Sequence, residues 1–163
     1  MDELRLLLEL LLLLMAANGA PVLAAHILKD VADWPVDCGR YASDGERLLG
    51  VSKTWRGVFS AVLATMVVAY LLGYPVMLGA QLGLFAMLGD MVSSFIKRRV
   101  GLTASARAFG LDQIPEAVLP LWVLHEQLEL GWTAGFATVI IFLLSSIGLS
   151  KLLYRLHIRK QPY

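Results

Sequence analysis

Five long apolar segments follow one another along the chain, and they constrain its fold more than any other feature. A membrane-spanning helix needs about 20 predominantly apolar residues. Of the 163 residues, 58% are hydrophobic and only 17% are charged, whereas a soluble domain is usually about 25% charged. The chain is therefore predicted to be a single all-α integral membrane domain, a bundle of about five transmembrane helices. The predicted spans are residues 4–28, 57–72, 75–96, 115–130 and 132–153.

The basic residues are distributed unevenly along the chain. Thirteen of the fourteen Lys and Arg residues lie in the predicted loops 29–56 and 97–113 and in the C-terminal tail. With five spans, these three segments lie on one side of the membrane. Because cytoplasmic loops carry the excess of Lys and Arg, we expect a multi-pass protein of the cytoplasmic membrane with its N-terminus outside and its C-terminus inside. Asp2 and Glu3 replace the basic start of a signal peptide, so the first span should remain in the mature protein.

Net charge and cysteine content add little to this interpretation. The formal net charge is +1, which gives no indication of a nucleic-acid partner, and none is expected. Cys38 is the single cysteine, so the chain cannot form an internal disulfide.

A polar face is predicted at the cytoplasmic end of the third span. Asp90, Ser94 and Lys97 follow at intervals of four and three residues, so they share one face of a helix, with Arg98 beside them. Charged groups within a span are costly and usually face the interior of a bundle or a water-filled cavity. A functional site is the favoured interpretation, and a carboxylate neutralised by a neighbouring Arg for packing is the alternative.

Basic clusters flank this face at the predicted membrane surface. Lys53 and Arg56 stand where the second span begins, a position at which free N–H groups favour anions. The run Lys97–Arg99 ends the third span, and Asp112 follows in the same loop. Two carboxylates among several cations are typical of a Mg²⁺–nucleotide site, in which one or two carboxylates and the phosphates hold the metal. Ordinary attraction of Lys and Arg to lipid headgroups would produce similar clusters.

Asn18 is the other polar residue that an anchoring helix does not explain. It lies within the first span beside Gly19 and shortly before Pro21. Proline removes a helical hydrogen bond, and a polar group freed inside the membrane needs a partner. Asn18 is therefore a candidate polar contact in the site.

Several strings, taken in order, resemble those of the CDP-archaeol synthase family, which are relatives of the CDP-diacylglycerol synthases. The resemblance runs from the first span to the start of the fourth. The strings are Asn18-Gly19-Ala20-Pro21, Asp44-Gly45-Glu46-Arg47-Leu48-Leu49-Gly50, Lys53-Thr54-Trp55-Arg56-Gly57, Gly89-Asp90 with Ser94-Phe95-Ile96-Lys97-Arg98-Arg99-Val100-Gly101, and Leu111-Asp112-Gln113.

The resemblance implies a small five-span cytidylyltransferase with a cytoplasmic-side cleft. Such an enzyme condenses CTP with a membrane lipid phosphomonoester, releases pyrophosphate and depends on Mg²⁺. The expected metal ligands are Asp90 and Asp112. The expected phosphate-neutralising cations are Lys97 and Arg98, with Lys53 and Arg56 on CTP or the lipid phosphate. The further expected substrate contacts are Asn18, Thr54, Ser94 and Arg99.

One position departs from the pattern of the wider superfamily, in which the last motif reads Asp-x-x-Asp. Here Pro115 stands at the second carboxylate position, and Glu116 follows it as a weaker candidate for the metal. Proline is favoured in the first turn of a helix, so Pro115 is compatible with a fourth span that begins at this residue.

Two other functions stay open on the sequence alone: a synthase acting on diacyl phosphatidate, and a small non-enzymatic transporter or assembly factor. A transporter should show repeats or polar residues near the midplane of several spans, and neither is evident. Gly79 and Gly83 in the third span would let a helix approach closely, either within the chain or in a homodimer.

Overall fold

The computed structural model describes residues 3–102 and 110–157. Five helices account for its regular structure: α1 (Glu3–Leu28), α2 (Trp55–Leu71), α3 (Val76–Arg99), α4 (Gln113–Val123) and α5 (Trp132–Arg155). Within these residues no strand forms, and the long loop between α1 and α2 contains only two isolated β-bridges. The predicted all-α class is confirmed.

Three of the helices, α1, α3 and α5, are long and apolar enough to cross a membrane, and α2 is a shorter apolar helix. Their exposed surfaces are rich in large hydrophobic side chains, such as Leu8, Leu63 and Ile140. A soluble protein would not expose so much apolar surface. The structure therefore supports a membrane-embedded bundle.

The fourth predicted span differs from the helix that forms. The sequence suggested one span over residues 115–130, but α4 ends at Val123 and turns follow. The ring Nδ1 of His125 lies 2.7 Å from the carbonyl oxygen of Trp122, just after the end of the helix. The backbone of Glu129 then adopts a positive φ of 49°. An 11-residue helix is only about 16 Å long, about half the thickness of the hydrocarbon core.

The core of the bundle lies where α1, α3, α4 and α5 meet. α1 contributes leucines at helical spacing, and the other helices contribute one or two large side chains each. The fully or almost fully buried members include Leu10, Leu13, Leu14, Leu82, Leu121 and Phe142. The opposite faces of the same helices also carry large hydrophobic side chains, so close packing between helices, and not hydrophobicity alone, sets the rotation of each helix.

Small residues bring α2 and α3 close together. A Cβ atom added to Gly79 would lie 2.6 Å from the Cβ of Ala69, and one added to Gly83 would lie 3.0 Å from the Cα of Val62. Both glycines therefore serve packing within one chain. A homodimer remains a prediction that these two residues no longer support.

Neighbouring helices run in opposite directions, as shown by contacts at both ends. At one end the Tyr74 hydroxyl, in the α2–α3 turn, donates to Glu9 of α1 over 2.6 Å. At the other end Arg56 of α2 donates to the carbonyl of Lys29, directly after α1. The ends of α1, α3 and the starts of α2 and α4 therefore share one end of the bundle, hereafter the polar end.

Candidate active site

The first feature of the polar end is an ion pair between the loop before α2 and the body of α3. The Nζ atom of Lys53 lies 2.6 Å from Oδ2 of Asp90, and both side chains are mostly buried. Lys53 precedes the N-cap residue Thr54, whose hydroxyl accepts from the backbone N–H of Gly57. The cap determines where α2 begins, and thereby where the Lys53 side chain starts.

A second ion pair joins α3 to the start of α4. Lys97 Nζ lies 2.6 Å from Oδ1 of Asp112, which is the N-cap residue of α4. This oxygen is buried in the ion pair. The contact therefore joins the start of α4 to the end of α3 that carries Lys97.

Glu116 lies between these pairs, one turn into α4. The carboxyl group is buried, and its Oε2 accepts a hydrogen bond of 2.9 Å from the side-chain amide of Asn18. It also interacts electrostatically with Lys53, Asp90 and Asp112. The polar partner expected for Asn18 is therefore a carboxyl group on another helix, and α1 itself continues through Pro21 to Leu28.

Close contact between α3 and α4 brings these carboxyl groups together. A Cβ atom on Gly89 would overlap the carbonyl group of Pro115 and lie 2.8 Å from the Cα of Glu116. Only glycine permits this approach, since the clashing atoms belong to the backbone. Asp90 follows Gly89 directly, so the crossing places its carboxylate beside that of Glu116.

Arg98 is a buried cation that differs from Lys53 and Lys97 in its lack of a carboxylate partner among the described residues. Only 5% of the residue is exposed, and its Nε atom has no hydrogen-bond partner within the described part of the chain. Among the described residues no carboxylate forms an ion pair with it. Ser94, one turn earlier on α3, is also buried. A buried guanidinium needs compensation for its lost hydration, and a bound anion would supply it.

Two residues predicted to contact the substrate, Arg56 and Arg99, bind the α1–α2 loop. Arg56 donates to the carbonyls of Lys29 and Val31 and pairs with Asp33. Arg99 donates to the carbonyl of Arg47 over 2.8 Å and pairs with Asp44. Both guanidinium groups therefore fix the α1–α2 loop to the helices.

The structure also identifies Asp37, which was missed in the sequence. Its buried carboxylate accepts from the backbone N–H groups of Gly39, Leu49 and Gly50 and from Arg47. Burial opposes ionisation, but the Arg47 guanidinium and these three N–H groups outweigh it and lower the pKa of Asp37. The only local signal is an Asp two residues before a Gly, a common turn pattern that does not reveal the distant partners.

One or two of the carboxyl groups of Asp90, Asp112 and Glu116 could bind a magnesium ion. Oxygen ligands suit Mg²⁺, which usually takes one or two carboxylates and completes its shell with phosphates and water. In the described part of the chain no three acidic, His or Cys side chains converge into a complete cage. A magnesium ion held here would therefore need further oxygen ligands from phosphates or water.

The sequence is similar to known proteins of one family over most of its length. A family model described as CarS-like CDP-archaeol synthase matches residues 3–76 and 72–163. The CDP-archaeol synthase of Sulfurisphaera tokodaii is 36% identical over 79% of this chain and 81% of its own length. The CDP-archaeol synthase of Pyrobaculum calidifontis is 31% identical over 90% of both chains.

A solved structure shares the fold as well. It is described as an intramembrane enzyme for archaeal membrane lipids biosynthesis, and it matches with a TM-score of 0.70 at 30% identity. The match covers 87% of this chain and 90% of that chain. Together with the family model, it confirms the family resemblance of the sequence motifs and the expected enzyme class. The chain belongs to the CDP-archaeol synthase family of membrane enzymes.

Proposed function

We propose that the protein transfers the cytidylyl group of CTP to an archaeal lipid phosphomonoester, giving a CDP-activated lipid and pyrophosphate. The observation that carries the proposal is the polar end itself. Two lysine–carboxylate pairs, Lys53–Asp90 and Lys97–Asp112, flank the buried Glu116 at one end of an apolar bundle. This arrangement suits a reaction between a charged nucleotide and a lipid whose tails stay in the bilayer.

The reaction needs charge neutralisation and alignment rather than covalent help from the protein. A phosphate oxygen of the lipid attacks the α-phosphorus of CTP and forms the new P–O bond. The bond from the α-phosphorus to the bridging oxygen breaks, and pyrophosphate leaves with the electron pair. Positioning and electrostatic stabilisation dominate reactions of this kind.

The proposed metal ligands are Asp90 and Asp112, with Glu116 as a third candidate. When bound there, Mg²⁺ would supply Lewis-acid stabilisation of negative charge on the phosphates. These carboxylates come from α3 and α4, whose close crossing at Gly89 holds them together.

The proposed phosphate contacts are Lys53, Lys97 and Arg98. The first two neighbour the metal-binding carboxylates, and the third is a buried guanidinium without an ion pair among the described residues. Asn18 orients Glu116 through its amide, and Ser94 is a buried hydroxyl on the same helix. Thr54, Arg56 and Arg99 stay predicted substrate contacts, although each already holds local structure.

The proposed orientation puts the polar end at the cytoplasmic surface, where CTP is present. The N-terminus then lies outside and the C-terminus inside. The support is the charge distribution, since the loops joined at this end carry most of the Lys and Arg residues.

A transfer assay tests the function directly. Purified protein is mixed with labelled CTP, Mg²⁺ and either an isoprenoid-ether or a diacyl glycerol phosphomonoester, and the organic phase is extracted. We expect label in the organic phase with the ether lipid, and none with Asp90→Asn. Glu3→Gln, an exposed carboxyl at the start of α1 and thus at the opposite end of the bundle, should retain activity. The proposal is wrong if wild-type protein labels neither lipid, and its lipid class is wrong if only the diacyl lipid is labelled.

A further inference from the structure

We infer that Asp37 is a positioning residue that acts through Lys53. The inference rests on the proposed function, because it assigns Lys53 a task in the site. Asp37 lies in the α1–α2 loop, and its carboxylate contacts none of the proposed metal ligands or phosphate contacts directly.

The carboxylate joins two distant parts of the loop. Its Oδ1 accepts from Gly39 N over 3.0 Å and from Arg47 Nη2 over 2.7 Å. Its Oδ2 accepts from the backbone N–H groups of Leu49 and Gly50 over 3.1 and 3.2 Å. A single buried carboxylate therefore organises the whole turn that leads to α2.

The loop held in this way also holds the backbone of Lys53. The N–H of Val36, next to Asp37, donates to the carbonyl of Lys53 over 2.8 Å. The N–H of Lys53 lies 3.4 Å from the carbonyl of Gly50, whose own N–H donates to Asp37. Val36 and Gly50, which hydrogen-bond to the backbone of Lys53, are thus both held by Asp37. Val36 precedes Asp37 in the chain, and Gly50 donates to its carboxylate.

This backbone placement decides where the ammonium group lies. Lysine has a long flexible side chain with several rotamers, so a backbone held in one place reduces the number of positions open to its ammonium group and favours the ion pair with Asp90. The backbone of Gly50 has a φ of 96° and that of Gly39 a φ of 74°. The turn therefore depends on conformations that few residues adopt, and four acceptor contacts from Asp37 maintain them.

Lysine labelling measures this placement independently of catalysis. Folded protein is treated with an amine-reactive reagent, and modification of Lys53 is compared by mass spectrometry with that of exposed Lys29. We expect Asp37→Asn to raise the relative labelling of Lys53 at least threefold and to leave Lys97 unchanged. Asp90→Asn serves as a positive control, since it removes the partner of Lys53.

Asp44→Asn is the matched control within the same loop. Its carboxylate bonds to the N–H of Glu46 and pairs with Arg99, but it does not contact Leu49 or Gly50. We expect Lys53 labelling to stay at the wild-type value in this variant. If Asp37→Asn does not fold, Arg47→Gln, which leaves the backbone contacts of Asp37 intact, should raise Lys53 labelling about twofold.

A double-mutant cycle connects the placement to activity. Asp37→Asn alone should lower the transfer rate at least tenfold, but it should lower it less than twofold further in a Lys53→Ala background, because residues that act through one another are not additive. Unchanged Lys53 labelling in the folded variant, or full additivity of the two losses, would overturn the inference. Failure of the proposed function appears separately, as absence of transfer by wild-type protein with Lys53 still protected from labelling.

Discussion

The ammonium group of Lys53 lies 2.6 Å from the carboxylate of Asp90, although 37 residues separate them in the sequence. This contact joins the loop before α2 to α3. On α3, the neighbouring Gly89 brings Asp90 against α4. The loop before α2, α3 and α4 thus meet at the Asp90 carboxylate. A substitution that moves any of the three should therefore alter the geometry of the candidate active site.

The carboxylates should be indispensable for turnover. We expect Asp90→Asn and Asp112→Asn each to reduce cytidylyl transfer at least 100-fold, because each would lose a full charge beside the cation and the phosphates. Each change also leaves a mostly buried lysine without its partner, so the unfolding temperature in detergent should fall and transfer is compared per folded molecule. Near-normal transfer by Asp90→Asn would assign that residue a packing role, and activity that survives only in Asp112→Asn would favour Glu116 as the second ligand.

Arg98 should contribute more to nucleotide binding than a basic residue of the tail. Removal of a charge-assisted contact costs roughly 1.5–3 kcal/mol, so we expect Arg98→Ala to weaken binding of Mg·CTP about tenfold or more. Exposed Arg155, at the end of α5, is the control. Its replacement by Ala should change affinity less than about threefold, because solvent and salt screen a surface charge.

Calorimetric titration of CTP into the detergent-solubilised variants, at one salt concentration, measures both affinities. Equal losses in the two variants would indicate diffuse attraction of the nucleotide to a basic surface. The proposed site would then lose its main electrostatic support.

Gly89→Ala should disrupt the site through the backbone. The added methyl group would overlap the carbonyl of Pro115, so α3 and α4 must separate. Overpacking of this kind typically costs about 1–3 kcal/mol, and we expect transfer activity to fall at least tenfold. The control is Gly148→Ala in α5, where an added Cβ would meet no atom of residues 3–102 or 110–157 within 4 Å. That change should leave activity intact and raise helix stability by up to about 1 kcal/mol.

Thermal unfolding and transfer assays on the same preparations test this prediction. An active Gly89→Ala protein of wild-type stability would show that the crossing can open without harm. The close approach would then not be needed for catalysis.

Tyr74 should contribute to stability at the end opposite the site. Its hydroxyl donates to the buried Glu9 over 2.6 Å. Tyr74→Phe keeps the ring but removes the donor, so we expect a loss of about 1–3 kcal/mol with catalysis unchanged per folded molecule. Chemical denaturation in detergent measures the loss, and an unaltered midpoint would show that the hydrogen bond contributes nothing.

The same residue predicts an alkaline transition. Burial, together with the hydrogen bond to Glu9, raises the pKa of Tyr74 from 10.0 to about 12. The raised value means that the neutral phenol favours the folded state, so its contribution is complete below pH 10 and disappears as the pH rises through about 12. The tyrosinate absorbance of wild type minus Tyr74→Phe should show one group titrating near 12. A difference curve centred near 10 would contradict the prediction.

The orientation can be tested with the natural cysteine. Cys38 is exposed in the α1–α2 loop at the polar end, and the proposed topology puts this loop in the cytoplasm. A membrane-impermeant maleimide should therefore label Cys38 only after cells are permeabilised. Glu3→Cys in a Cys38→Ser background should react in intact cells, because the start of α1 lies outside in this topology. The reverse pattern would overturn the N-out, C-in orientation.

Hydrophobicity and helical periodicity in the sequence were enough to predict the fold class and the polar face of α3. Apolar segments predicted the α-class because a backbone in lipid must satisfy its own hydrogen bonds. The 3.6-residue period placed Asp90, Ser94 and Lys97 on one face of α3, and the motif strings indicated the family. These are local properties, since each depends on residues within a few turns or on order along the chain.

Only the tertiary structure decided which polar groups meet. Asn18 bonds to Glu116 across 98 residues, Lys97 pairs with Asp112 on another helix, and Arg56 and Arg99 hold loops instead of standing free for phosphates. The sequence also did not predict the end of α4 at Val123 or the four contacts of Asp37. The physical reason is that partners so distant in sequence depend on how closely two helices approach, and backbone contacts such as Gly89 against Pro115 set that distance.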